Sequence, residues 1–350
     1  MRFIGNKEKI IDNIYQIIKD KNIKGSSFFD VFSGTSNVGK FFKQLDYQIF
    51  SSDVLYFSYV LQMAYLVNNK KPNFKKLLKS LKLKSTDKKP LELVVEYLNS
   101  IKPKKGFIYK NYTPEGSSKL EQPRMYFSNE NGKIIDAIRM EIEKWKEDKL
   151  IENSEYYILL ACLIETVPFY SNITGVYGAF QKKWDARALK KLKLRTIQLI
   201  YNSKNNFSFN TNSLDLIEKV EADIFYLDPP YNQRQYAPNY HILETIAKYD
   251  NPEIKGVTGL RNYDNQKSNF CNPKKGIIEL SEMAEKAKCS TFILSYNSEG
   301  IMKKDDILKT LKKYGKVELV EFEHRRYKSN NNGNLKDKKH ILEQVYILNK

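Results

Sequence analysis

A short apolar run over residues 28–33 empties into a glycine-bearing turn, Ser33 to Gly39, and no other feature limits the possible folds as tightly. Val38, Phe41, Phe42 and Leu45 follow at helical spacing, and residues 48–52 read as a second short strand ending at Asp53. Strand, turn, helix and strand with an acidic end describe a βαβ unit, and such units build parallel sheets. Ahead of them, Ile10, Ile11, Ile14, Tyr15, Ile17 and Ile18 predict a first helix that ends near Gly25.

The pattern resumes far downstream. Residues 207–210 and 223–227 predict strands, the second running into Asp228-Pro229-Pro230-Tyr231. Residues 291–295 predict another buried strand, and 317–322 with 341–348 predict an antiparallel hairpin joined by a basic, Asn-rich loop from His324 to His340. The expected fold class is α/β, with a mixed sheet of about seven strands.

The middle of the chain reads differently. Lysines dominate from Lys70 to Lys89, with Leu77, Leu78, Leu81 and Leu83 among them, and Pro90, Pro103, Pro114 and Pro123 punctuate the next stretch of chain. Ile134, Ile135, Ile138, Ile142 and Trp145 then mark one face of an amphipathic helix, and residues 154–166 predict another. Residues 71–150 are therefore expected to be an insertion into a domain made of 1–70 and 151–350. The tract Ser329-Asn330-Asn331-Asn332-Gly333-Asn334 is low in complexity, and no internal repeat is evident.

Charge narrows the partner. Lys plus Arg number 59 against 41 Asp plus Glu, a net charge of +18 over 350 residues, which suits a polyanion such as nucleic acid as well as a solvated lysine surface. Cys162, Cys271 and Cys289 lie far apart and form no metal-ligand pattern, as expected of reduced thiols in a cytoplasm-like compartment. Residues 1–9 lead straight into an amphipathic pattern, so no signal peptide is expected. No apolar run approaches the roughly 18 to 20 residues of a membrane span.

Asp228-Pro229-Pro230-Tyr231 carries the most chemical information. Two prolines directly after a strand cannot continue a sheet, because neither has an N–H and both fix φ. They hold a rigid turn that points Asp228 and the local carbonyls into the space beyond the strand end, where ligands bind in open α/β sheets. A carboxylate and a neighbouring carbonyl suit an exocyclic amine: they take its two hydrogens and free its lone pair. The face of Tyr231 offers a base a stacking surface. A purely structural turn is the competing reading. The turn after Asp30 lacks the full Gly-x-Gly-x-x-Gly pattern of a dinucleotide site, which favours an adenosyl cofactor without a pyrophosphate.

The order Arg2-Phe3-Ile4-Gly5-Asn6-Lys7, then 30–39, Asp53 and Asp228-Pro229-Pro230-Tyr231 resembles the Dam-like, alpha-group DNA adenine-N6 methyltransferases, above all type II modification methylases. Tyr231-Asn232-Gln233-Arg234-Gln235-Tyr236, Asn239-Tyr240-His241, Leu243-Glu244-Thr245, Ser171-Asn172-Ile173-Thr174-Gly175 and Ser295-Tyr296-Asn297 extend the resemblance over most of the chain, and it thins over 70–120. It implies a Rossmann-like S-adenosylmethionine-dependent methyltransferase fold with the insertion as a DNA-recognition module. It also implies that Phe3, Lys7, Asp30, Gly34, Asp53, Asn212 and Asp228 bind S-adenosylmethionine: Lys7 the methionine carboxylate, Asp53 the ribose, Asn212 the adenine ring. Asp228, Pro229, Pro230 and Tyr231 would be catalytic, and no metal is expected. Ser36 stands where a glycine is more usual in the turn.

Lys70, Lys71, Lys75, Lys76, Lys79, Lys82 and Lys84, and Arg325, Arg326 and Lys328 around Tyr327, are candidate phosphate contacts. His241, His324 and His340 are expected to be solvent-facing or hydrogen-bonded, since displacement at a sulfonium needs no strong base. The implied partner is double-stranded DNA, with a possible restriction endonuclease beside it, and the implied state a cytoplasmic monomer. N4 of cytosine, an RNA base, a protein glutamine, or non-catalytic DNA binding are the alternatives.

Overall fold

A computed structural model describes residues 7–84, 87–325 and 340–350. Phe3 and its neighbouring motif residues, the Asn-rich tract and the basic residues Arg326 and Lys328 with Tyr327 lie outside the described residues. The chain forms two compact units.

The first unit comprises Ile4–Gln62, Ile200–Tyr236 and Asp264–Lys350. It holds a seven-stranded sheet of β1 (Ser27–Asp30), β2 (Gln48–Ser52), β3 (Phe207–Phe209), β4 (Ile224–Leu227), β5 (Thr291–Asn297), β6 (Lys316–Arg325) and β7 (His340–Asn349), in the order β3-β2-β1-β4-β5-β7-β6. The first five are mutually parallel, and β7 runs antiparallel to both β5 and β6. The expected α/β class, strand number and closing hairpin are all present.

Every residue of β4 and β5 is buried, with no polar alternation, because helices cover both faces of a parallel sheet. Successive residues of β1 serve opposite faces. Phe28 stacks on Phe42 of α2 (Asn37–Gln44) at 3.9 Å, whereas Phe29 joins Phe225, Leu227, Phe292 and Leu294 against Leu280 and Met283 of the helix Pro273–Lys286. Helix α1 (Ile11–Asp20) buries Ile11, Ile14, Ile17 and Ile18 as its spacing predicts. It stops short of Gly25, because Asn22 turns left-handed (φ +54°) and the Ile23 amide bonds back to the Ile18 carbonyl.

At the starts of β1 and β4, Asp223 Oδ2 accepts from the amides of Ser26 and Ser27 and from the Ser27 hydroxyl, at 2.7 to 2.9 Å. The Asp223 amide donates to Ser27 Oγ at 2.8 Å. One carboxylate thus fixes the register of the two strands from which the site hangs.

Among the described residues, the second unit comprises Met63–Leu199 and Ala237–Tyr263. Its long helix Asn129–Glu147 has the predicted buried face of Ile134, Ile135, Ile138, Ile142 and Trp145 and packs on Asn153–Thr166. Two buried ions bind distant segments to it. Asp136 accepts from the amides of Gly106, Ile108 and Tyr109 and from the Tyr249 hydroxyl, and Arg139 donates to the carbonyls of Ile246 and Ala247. The lysines from Lys70 to Lys84 are exposed, while Leu77 and Leu78 beneath them are buried.

Asp223→Ala should lower unfolding free energy by about 1–3 kcal/mol in a denaturant titration, since two strand-end amides lose their acceptor. Ser36, buried and left-handed (φ +61°) with an unpartnered hydroxyl, should behave oppositely. Ser36→Gly is expected to raise stability by about 0.5–1 kcal/mol in the same titration.

Candidate functional site

In the sheet, β1 is followed by β2 on one side and β4 by β5 on the other, so the strand order reverses between β1 and β4. Ligands of open α/β sheets bind at the carboxyl ends beside such a reversal. Asp30 ends β1 opposite Tyr226, and Asp228 follows β4 two residues further on. Pro229 is buried, Pro230 half-buried, and the Tyr231 ring packs against the sheet's hydrophobic core with its carbonyl accepting from the Ile301 amide.

Lys7 reaches Asp228. Its Nζ lies 3.2 Å from Asp228 Oδ1 and 2.6 Å from Glu343 Oε1. Glu343 also accepts from the Ser295 hydroxyl on β5. The lysine, which the resemblance assigns to the methionine carboxylate, thus lies against the head of the Asp-Pro-Pro-Tyr corner. Glu343 carries no signal in the sequence: it is one acid in the apolar run of a strand, facing Asn297 across an antiparallel pair.

The glycine turn is closed by two carboxylates. Asp30 Oδ2 accepts from the Ser33 hydroxyl at 3.0 Å and from the Gly39 amide at 3.2 Å, tying β1 to the first turn of α2. Gly34, left-handed at φ +50°, donates its amide to Asp53 Oδ2 at 2.9 Å, and Asp53 Oδ1 accepts from the Leu55 amide at 2.8 Å. Asn212 lies after β3, where its side chain caps the Leu214 amide.

Burial sets the ionisation. It pushes the Asp228 carboxyl up to about 7, against the Lys7 ammonium that holds it down, and Glu343 adds to the rise. It pushes Asp30 up to about 7 as well. Burial alone would lower Lys7, yet Asp228 and Glu343 together hold its ammonium above the ordinary lysine value. Burial takes the Tyr231 phenol up to about 12, so it stays neutral.

His241, in the other unit, is pushed down to about 4 by burial, and its Nε2 lies 3.0 Å from the Tyr177 carbonyl oxygen. It is a neutral, hydrogen-bonded ring, as expected. His340 is exposed.

This donor set fits S-adenosylmethionine. Asp53 is a carboxylate with acceptor capacity beyond two amide bonds, which suits ribose hydroxyls. Asp30, Asp228 and Glu343 outnumber the Lys7 ammonium, an acidic neighbourhood that suits a sulfonium cation. Among the described residues no cluster of metal-binding side chains occurs.

A model of the D12 class N6 adenine-specific DNA methyltransferase family matches residues 3–310. The chain is 44% identical over 338 residues to the Type II methyltransferase M.FokI of Planomicrobium okeanokoites, covering 94% of this chain and 50% of that protein. It is 38% identical over 354 residues to the modification methylase StsI of Streptococcus sanguinis, covering 99% and 52%. It therefore spans about half the length of these two relatives. Against the Type II methyltransferase M.NlaIII of Neisseria lactamica it is 36% identical over 356 residues, with 100% of this chain and 99% of that protein aligned. With its sheet reversal and Asp-Pro-Pro-Tyr corner inside the matched span, the chain belongs to the D12 class N6 adenine-specific DNA methyltransferase family.

Proposed function

We propose that this chain methylates N6 of adenine in double-stranded DNA, with S-adenosylmethionine as donor, as the modification partner of a restriction endonuclease. The observation that carries the proposal is the position of Asp228: a largely buried carboxylate 3.2 Å from the Lys7 ammonium, at the end of β4 beside the sheet reversal. The family description favours adenine over cytosine, RNA or protein amines.

When bound, S-adenosylmethionine supplies an electrophilic methyl group on a sulfonium. The chain's own residues do the rest. Asp228 and the Pro229 carbonyl accept the two hydrogens of the amine and turn its lone pair outward. The fixed φ of Pro229 and Pro230 keeps both acceptors in place before the substrate arrives, so little reorganisation is needed at transfer. Tyr231 stacks on the ring. Because N6 inside a stacked pair cannot meet a methyl group in line, the adenine must leave the helix to reach these groups. Asp228 then stabilises the positive charge that grows on nitrogen and takes up its proton.

The lysine-rich face from Lys70 to Lys84 contacts phosphates, and residues 71–150 contribute base contacts, in this reading. The protein is proposed to be a monomer working in the cytoplasm; separately, among the described residues no helix is long and apolar enough to cross a membrane.

Incubation with DNA and labelled S-adenosylmethionine, followed by digestion to nucleosides, should yield N6-methyladenine; N4-methylcytosine as sole product would contradict the proposal. Asp228→Ala should cut the rate by about 10³-fold or more. The pH dependence follows from the raised Asp228 carboxyl. Its ionised form is the one that stabilises the growing cation, so turnover at saturating substrates should fall as pH drops through 7. Well below that point the fall should approach about tenfold per pH unit in initial-rate measurements.

A further inference from the structure

Glu343 lies outside every motif that marks the site, yet the topology delivers it there. β7 is the one strand of the sheet that runs against its neighbours on both sides, so its beginning lies at the carboxyl ends of β4 and β5. Glu343 pairs with Asn297, the last residue of β5, and is 1% exposed. Its carboxylate takes the Lys7 ammonium at 2.6 Å and the Ser295 hydroxyl, while Asp228, at 3.2 Å from the same ammonium, keeps 15% of its side chain exposed. By distance alone Lys7 is drawn to Glu343 about a fifth more strongly than to Asp228.

We propose that Glu343, oriented by Ser295, is a positioning residue for methyl transfer: it draws the Lys7 ammonium towards itself so that Asp228 keeps an edge open to the substrate amine. This rests on the reading of the site given under Proposed function. Lys7 is needed to make a buried Asp228 tolerable as an anion. A lysine paired with Asp228 alone would occupy the acceptor that the amine requires. Two carboxylates sharing one ammonium avoid both outcomes. Glu343 itself, buried and already accepting from Lys7 and Ser295, touches no substrate in this account.

The test compares Glu343→Gln, Glu343→Asp and Ser295→Ala with the intact chain, using cognate DNA and S-adenosylmethionine under single-turnover conditions across pH. In Glu343→Gln the lysine shifts onto Asp228, so the transfer rate should fall by about 10- to 100-fold with KM for both substrates within about threefold. Among the described residues the groups facing Asp228 are Lys7, Glu343, Tyr226, Tyr231 and Asp30, and of these only Glu343 changes in that variant. The acid limb of the rate profile should move to lower pH by about half a unit or more, since a nearby negative charge has been removed. A residue that merely packs the strand would lower rate or stability without moving that limb.

Glu343→Asp keeps the charge and should keep the limb where the intact chain has it. Ser295→Ala removes only a hydroxyl and should slow transfer in the same sense but less. An active intact chain with Glu343→Gln and Ser295→Ala both within about twofold of its rate, and the limb unmoved, would overturn the assignment and leave the methyltransferase reading standing. An intact chain that methylates no DNA would overturn both.

Discussion

Neighbouring parallel strands whose chains depart in opposite directions leave a crevice at their carboxyl ends that the crossovers cannot cover. Here the pair is β1 and β4, locked at their starts by Asp223, and the chemistry of the site depends on what each strand does on reaching the crevice. β1 ends in an acid that closes a glycine turn, and β2 ends next to an acid that receives the turn's amide. β4 ends in two prolines that cannot pair onward. The carboxylate ahead of them is fixed by backbone geometry as well as by its contacts.

Placing carboxylates at the mouth of a buried sheet carries an electrostatic penalty, and Lys7 offsets it. Asp228 and Glu343 reach the same ammonium from strands separated by β5. The Asp30 charge is compensated differently, by a hydroxyl and an amide, and burial still raises its carboxyl to about 7. Compensation by dipoles for Asp30 and by an ion for Asp228 matches the division of work. Asp30 shapes a turn, whereas Asp228 sits where charge must change during the proposed reaction.

Much of the sheet was legible because its signals are local. Apolar runs such as Phe28-Phe29 and Ile224-Phe225-Tyr226-Leu227, stopped by an acid, a glycine or a proline pair, identify strands and their ends without knowledge of partners. The closing hairpin was readable for the same reason. The ends of elements are less legible. The first helix stops at Asp20 because Asn22 adopts a left-handed conformation that nothing short of the backbone reveals, and β1 ends at Asp30 while its apolar run continues. Glu343 was invisible because its meaning depends on an ammonium 336 positions away. Equally hidden was the grouping of Ala237–Tyr263 with Met63–Leu199, which rests on buried ions such as Arg139 binding carbonyls more than a hundred residues on. Asn212, suggested by resemblance, also has a local role: its side chain caps the Leu214 amide.

The central claim is that the corner after β4 grips an extruded adenine by its amine. The most direct measurement is a crystal structure of the chain with duplex DNA and a non-reactive analogue of S-adenosylmethionine. The account predicts N6 of the extruded adenine within about 3 Å of both the Asp228 carboxylate and the Pro229 carbonyl oxygen, with its ring over Tyr231. An adenine left stacked in the helix, or one whose amine meets other groups while Asp228 faces Lys7 alone, would contradict it.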